Sequence, residues 1–295
     1  MRDLDVGLVA GSRDDAPIHS LTSLKKTKSM FADNDGAQVY WQSISAGEPL
    51  VLLMGLGCSS ALWFRLVPML SRHYRVILLD NRGSGQTRAP VALVHRIQTM
   101  ASDLEAVLDA AKISSAHVVG FSMGGMIAQQ FAIDCPDRVR SLTLLGTNCG
   151  RPYAKLAQQH VLNLLFARGE MTAIQSLDAM RPHTYSVCTE SAIVAEDTAI
   201  RLATYPTLRG FQAQLYGLMA WTSYFDLPSI AAPTLIMHGV EDALIPPSNS
   251  EILAERIANS TLHLLDNASH WLFTDQTALV SKTLRAFLKK HAFTD

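Results

Sequence analysis

Apolar residues fall into short, nearly unbroken runs along most of this chain, at residues 50–54, 76–80, 117–120, 142–145, 234–237 and 261–265. Runs of this length with little polar alternation are what strands covered on both faces require. Between them lie stretches with helical spacing at about 61–70, 97–111, 123–134, 248–259 and 276–289. Strand, helix, strand repeated in this way predicts an α/β fold, a mostly parallel, doubly wound sheet. Ahead of it, residues 30–32 and 38–44 flank the turn-prone Asp33-Asn34-Asp35-Gly36 and read as a hairpin forming an antiparallel edge.

The rhythm breaks between Gly146 and Pro228, where no strand pattern occurs. Amphipathic segments at 155–168, 171–180, 191–204 and 208–222, punctuated by Pro182, Pro206, Pro228 and Pro233, predict a helical insertion of residues 147–228. The core then comprises residues 29–146 and 229–295. Residues 1–28 are polar, carry Gly7, Gly11 and Pro17, and keep no period, so they read as an irregular arm. They lack the basic-then-apolar order of a secretory leader, which makes the cytoplasm the expected location.

Composition narrows the function classes. With 295 residues, 48% of them hydrophobic, the chain can bury a large core, and a net charge of −1 with 17% charged residues gives no basic field for nucleic acid. No apolar run approaches the roughly 20 residues of a membrane span. Cys58, Cys135, Cys149 and Cys188 are widely spaced without a C-x-x-C pair, which argues against a zinc site and a disulfide framework.

The chemistry concentrates at Gly120-Phe121-Ser122-Met123-Gly124-Gly125, a G-x-S-x-G sequence between a predicted strand and a predicted helix. An abrupt strand-to-helix turn strains the central residue and leaves no room for side chains two positions away, hence glycines there. The turn projects the Ser122 hydroxyl outward and aims helix amides at developing negative charge. A serine needs a base, and the base an orienting acid. In the order serine, acid, histidine, the acid follows a late strand, at His238-Gly239-Val240-Glu241-Asp242; Asp242 fits the G-x-x-D spacing and Glu241 is its competitor. His270, in Ser269-His270-Trp271 before the final helix, is the base; His238 precedes the acid and reads as structural. Oxyanion donors are expected from the amides of Met123 and of Leu56, in the glycine-bearing loop Met54-Gly55-Leu56-Gly57-Cys58-Ser59. The loop Asp80-Asn81-Arg82-Gly83-Ser84-Gly85 matches no phosphate-binding pattern and reads as structural, with Asp80 and Arg82 tying it to its neighbours.

On four of these motifs, Gly120-Phe121-Ser122-Met123-Gly124-Gly125, Asp80-Asn81-Arg82-Gly83-Ser84-Gly85, His238-Gly239-Val240-Glu241-Asp242 and Ser269-His270-Trp271, the chain from about Ser29 onward resembles the α/β-hydrolase superfamily. The resemblance implies a helical cap between the sixth and seventh strands, and a Ser122, Asp242, His270 triad working without a cofactor. Many relatives carry His-Gly where this chain has Met54-Gly55. Met-Gly-Leu-Gly with Ser-Met-Gly-Gly-Met is similar to small esterases, including the aclacinomycin methylesterase-like group. A serine at position 122 departs from haloalkane dehalogenases and epoxide hydrolases, and Gly-Phe-Ser from the Gly-Asn-Ser of carbon-carbon bond hydrolases.

The reaction expected is two-step acyl transfer from an apolar small-molecule ester through an acyl-enzyme. Phe166, Tyr185, Tyr216 and Met219 of the insertion, with Trp271, are expected to line the pocket and favour an apolar acyl or ring group. An anionic substrate calls for a convergent arginine; Arg151, Arg181, Arg201 and Arg209 lie in the right stretch, their orientation open. Lactonase, thioesterase, cofactor-free perhydrolase and ligand-binding homologue with little turnover all share these residues. Oligomeric state, a homo-oligomer included, stays open.

Overall fold

The computed structural model describes residues 30–293. The arm expected over 1–28, and the leader reading that rests on it, fall outside the described residues. Strands β1 (Met30–Asn34) and β2 (Ala37–Ile44) form the expected antiparallel hairpin, with Asn34 opposite Ala37. Its two turn residues, Asp35 (φ 44°) and Gly36 (φ 72°), are both left-handed, the conformation that matches strand twist in a two-residue hairpin.

After β3 (Glu48–Leu53) the single helix expected over 61–70 is broken. A 3₁₀ stretch, Ser60–Arg65, is followed by the four-residue α1 (Val67–Leu70), because Pro68 lacks an N–H and fits only a helix's first turn. The chain continues through β4 (Tyr74–Leu79), α2 (Ile97–Ala110), β5 (Ala116–Phe121), α3 (Met123–Asp134) and β6 (Val139–Leu145). Four helices follow before the next strand: α4 (Gln159–Phe166), α5 (Ala173–Met180), α6 (Ser191–Ala203) and α7 (Leu208–Met219). The sheet resumes with β7 (Thr234–Gly239), α8 (Ser248–Arg256) and β8 (Ser260–Leu265), and the chain ends in α9 (Leu272–Asp275) and α10 (Thr277–Lys290).

The eight strands lie in the order β1-β2-β4-β3-β5-β6-β7-β8. Only β2 runs antiparallel to its neighbours; the other pairs are parallel. Successive residues of one strand serve opposite faces. Val51, Leu53, Ile77, Leu79 and Val118 pack with α2, α3 and α8, whereas Leu50, Leu52, Val76, Leu78 and Val119 pack with α1 and α10. Each such fully buried aliphatic contributes about 1.5–3 kcal/mol, which is why both parities of the central strands must be apolar. The last strand departs from this rule: β8 pairs with β7 alone, and Leu264 is 45% exposed.

The helices between β6 and β7 are fastened to the core by a buried carboxylate. Asp197 of α6 accepts hydrogen bonds from Arg65 Nε (3.1 Å), Tyr185 Oη (3.2 Å) and Thr274 Oγ1 (2.7 Å). Burial pushes its pKa up, opposed by these same partners. Among the described residues no helix is long and apolar enough to cross a membrane, and the four cysteines are free thiols.

Candidate active site

Three sheet-tip loops and the helices above them build one small cavity. Ser122 sits at the junction of β5 and α3 with φ 55° and ψ −120°, a conformation that L-residues adopt only when their surroundings force it. The force comes from packing on both sides. The Ser122 amide donates to Leu145 O (2.9 Å) and its carbonyl accepts from Gly125 N (2.9 Å) and Thr147 Oγ1 (2.7 Å). A Cβ at Gly120 would strike the Gly124 carbonyl, and one at Gly124 the Leu53 carbonyl, so both glycines are demanded by close backbone approach.

Beyond β7, Asp242 is buried, and both of its carboxylate oxygens are engaged. Oδ1 accepts from the amides of Leu244 (3.0 Å) and Ile245 (2.8 Å), fixing the carboxylate plane. Oδ2 faces His270 Nδ1 at 2.8 Å and His238 Nε2 at 3.2 Å. Burial alone would raise the Asp242 pKa, but the His270 and His238 imidazoles outweigh it and hold the carboxyl down at about 2. The competitor Glu241 points elsewhere, with Oε2 3.4 Å from the Val187 amide. The two loops are stitched together by Glu241 N donating to Ala268 O (2.9 Å), and the histidine loop by Ser269 N donating to Asp275 Oδ2 (2.8 Å).

His238 is therefore more than a strand-end histidine. Its Nε2 also lies 2.8 Å from Ile245 O, so that nitrogen carries the proton and is shared between carbonyl and carboxylate. Its Nδ1 is buried with no partner among the described residues.

The Met123 amide is the first of α3, where no intrahelical acceptor exists. The Leu56 amide likewise meets no acceptor among the described residues. Both residues line the cavity with Ser122 and His270. Gln214 of α7, which the sequence reading missed, shapes this loop: its Oε1 accepts from Gly57 N (2.7 Å), and its Nε2 donates to Arg82 O (2.6 Å) and Ser84 Oγ (2.9 Å). A fully buried glutamine thus locks two core loops from within the helical insertion. A polar residue interrupting the buried face of an amphipathic helix was the only available signal.

The second of those loops is structural, as expected. Asp80 accepts from the amides of Ser60 (2.7 Å) and Gln86 (2.8 Å), and Arg82 grips Asp103 at 2.6 and 2.8 Å through Nε and Nη2.

The cavity measures about 190 Å³. Of the expected lining residues, Phe166, Met219 and Trp271 line it, while Tyr185 and Tyr216 do not. Tyr185 is buried behind Trp271, stacked at 6.1 Å and bonded to Asp197, because a buried phenol needs an acceptor; Tyr216 lies on the outer side of α7, 47% exposed. Of the expected arginines, Arg151 and Arg201 border the cavity and Arg181 and Arg209 do not; Arg168, unforeseen, does. Cys58 is buried in the wall, where desolvation pushes its thiol pKa up and keeps it a poor nucleophile. A larger cleft of about 700 Å³, lined by Tyr40, Asp80, His95 and Tyr205 among others, contains neither Ser122 nor His270.

A serine on a strained elbow, an aspartate-held histidine and two unpaired amides at one cavity on a mostly parallel sheet define a hydrolase. The chain belongs to the α/β-hydrolase family: the family model described as alpha/beta hydrolase fold matches residues 48–277. It is 32% identical over 248 residues to "Putative carbamate hydrolase RutD" of Variovorax paradoxus, covering 83% of this chain and 92% of that protein. It is 28% identical to the 2-hydroxy-6-oxo-2,4-heptadienoate hydrolase of Pseudomonas putida, over 86% of this chain and 93% of the relative. Among solved structures it superposes on an esterase from Exiguobacterium antarcticum with a TM-score of 0.79 and 26% identity, covering 88% of this chain and 98% of that one.

Proposed function

We propose that this protein hydrolyses carboxylic esters of apolar small molecules, with Ser122 as nucleophile, His270 as general base and acid, and Asp242 as the group that orients it. The observation that supports this most strongly is the 2.8 Å contact between His270 Nδ1 and Asp242 Oδ2 at the cavity that Ser122 also lines. With Nδ1–H donated to Asp242, Nε2 is left as the basic nitrogen. As Ser122 Oγ attacks the ester carbonyl, its proton passes to His270 Nε2, and the carbonyl oxygen becomes an oxyanion held by the Leu56 and Met123 amides. Collapse breaks the C–O bond, and the leaving alkoxide takes the proton from Nε2. Water then attacks the acyl-enzyme, gives its proton to Nε2, and Ser122 recovers that proton as the acid leaves.

Residues 147–228, carrying α4 to α7, act as the cap that encloses the substrate's apolar part through Phe166, Met219 and their neighbours. A carbamate carbonyl would meet the same groups, and the 32% identical relative favours it as a second reading. The test is turnover of a p-nitrophenyl ester series of increasing acyl length beside p-nitrophenyl carbamates. Ester hydrolysis that Ser122→Ala lowers by about 10⁴-fold or more is the expected result. Equal rates in both proteins would remove Ser122 from the mechanism, and carbamate turnover exceeding ester turnover would favour the second reading.

A further inference from the structure

Four cationic side chains border the Ser122 cavity, Arg151, Lys155, Arg168 and Arg201, and no Asp or Glu does. The first two are exposed at its mouth, but Arg168 and Arg201 are half-buried. Among the described residues neither of these two arginines forms an ion pair. Withdrawing an unpaired guanidinium from water is costly, and here aromatic faces and the phenol oxygens of Tyr205 and Tyr185 offset it without supplying a counter-charge. Arg168 lies 4.2 Å from the Tyr205 ring centroid and 4.1 Å from that of Phe211, with Nε donating to Tyr205 Oη at 2.8 Å. Arg201 lies 5.0 Å from the Trp271 ring, next to His270.

Their placement relates them to the reacting groups. Arg168 Nη1 is 3.2 Å from where a Cβ on Gly57 would stand, so it abuts the loop that carries the Leu56 amide. Arg201 borders the histidine side through Trp271. Both reach Cys58, whose thiol pKa burial raises and these two charges pull back. The remaining guanidinium N–H groups of Arg168 have no protein acceptor among the described residues.

We infer that the substrate is an ester whose apolar acyl part ends in a carboxylate, seated on Arg168 and Arg201 in the cavity that holds Ser122. This deepens the ester-hydrolase reading and rests on it for the reaction. A carboxylate matches the planar guanidinium fork. It supplies the counter-charge that this wall lacks, while the Leu and Met side chains of the cavity cover the intervening methylenes.

The decisive comparison is the mono-p-nitrophenyl ester of adipic acid against p-nitrophenyl hexanoate, which has the same chain length and leaving group but no charge. The expected kcat/KM ratio, charged over neutral, is about tenfold or more, carried by KM. Arg168→Gln and Arg201→Gln should each cut that ratio by about tenfold, with Arg168→Lys restoring part of it. A wild-type ratio at or below one overturns the inference without recourse to any variant, and so does a ratio that both Gln variants leave intact. Calorimetric titration of Ser122→Ala with adipate separates this failure from failure of the ester reading. Adipate binding that Arg168→Gln weakens about tenfold, without Ser122-dependent turnover of either ester, would keep the anion site and discard the reaction. Inorganic phosphate binding as tightly as adipate would overturn the carboxylate assignment.

Discussion

Replacing Asp242 by Asn tests the arrangement at its most constrained point. The change is nearly isosteric, so Leu244 N and Ile245 N can keep their acceptor at the retained oxygen. What changes is the atom facing His270 Nδ1 and His238 Nε2, where an acceptor shared at 2.8 and 3.2 Å becomes an N–H donor. His270 must then turn or adopt the tautomer with its proton on Nε2, which can no longer take the Ser122 proton. The expected loss in kcat is about 10⁴-fold, as for other triads whose aspartate is made neutral. Stability falls as well. The gap between an ordinary carboxyl at 3.8 and one held at about 2 corresponds to about 2 kcal/mol at neutral pH. Because the folded pKa is the lower one, this contribution is fully present above about pH 4 and is lost as pH falls through 2. The assays are ester turnover at saturating substrate and urea unfolding of both proteins at pH 7. Turnover within about tenfold of wild type in a folded Asp242→Asn protein would refute the assignment, and Glu241→Gln would then be the variant to measure.

Two further outcomes follow from buried polar groups. Gln214→Leu leaves Gly57 N, Arg82 O and Ser84 Oγ without their partner, at about 1–3 kcal/mol for each group left unsatisfied, so its melting temperature should drop. Its kcat for esters should also fall about tenfold while KM holds, because the Leu56 amide loses its positioning; a stability loss with unchanged kcat would reduce Gln214 to a structural tie. His117, fully buried in β5 with Nδ1 2.7 Å from Ser141 Oγ, has its pKa lowered to about 4, chiefly by burial and against the pull of Glu48. Its folded form therefore resists protonation that the unfolded chain accepts, and stability is lost as pH falls from about 6.5 towards 4, by about 2 kcal/mol between pH 7 and pH 5. The buried Asp197 and the half-buried Asp275, with raised pKa values, act in the opposite sense, so the quantity to read is the urea-midpoint difference between wild type and His117→Gln at the two pH values. A difference that does not change with pH would contradict the burial argument.

Much of the site is local in sequence. The elbow needs Gly120 and Gly124 because the backbone on either side of Ser122 comes too close for a side chain, and that requirement is written within five residues. The loops carrying Leu56, Asp242 and His270 each follow an apolar run, so their place at one sheet edge could be read from the order of elements. Side-chain direction within a helix could not be read this way. Phe166, Tyr185, Tyr216 and Met219 share a composition typical of pocket walls, yet whether Phe166, Tyr216 and Met219 face the cavity depends on the rotation of α4 and α7 against the core, and the place of Tyr185 on the path of the connection between α5 and α6. The same holds for Arg168, which the sequence reading passed over, and for the shared role of His238 beside Asp242.

The sequence by itself determined the α/β fold, the hairpin edge, the elbow and the loop that holds each candidate catalytic residue, because periodicity, turn chemistry and steric exclusion act between near neighbours along the chain. Only the tertiary structure decided that Gln214 bridges two loops more than 120 residues away, that Asp242 rather than Glu241 meets His270, and that two unpaired arginines flank the cavity. Those outcomes depend on which segments burial brings together and on where a buried charge or amide finds its partner. Both are settled by the balance of desolvation and contact over the whole core, which no stretch of neighbouring residues encodes.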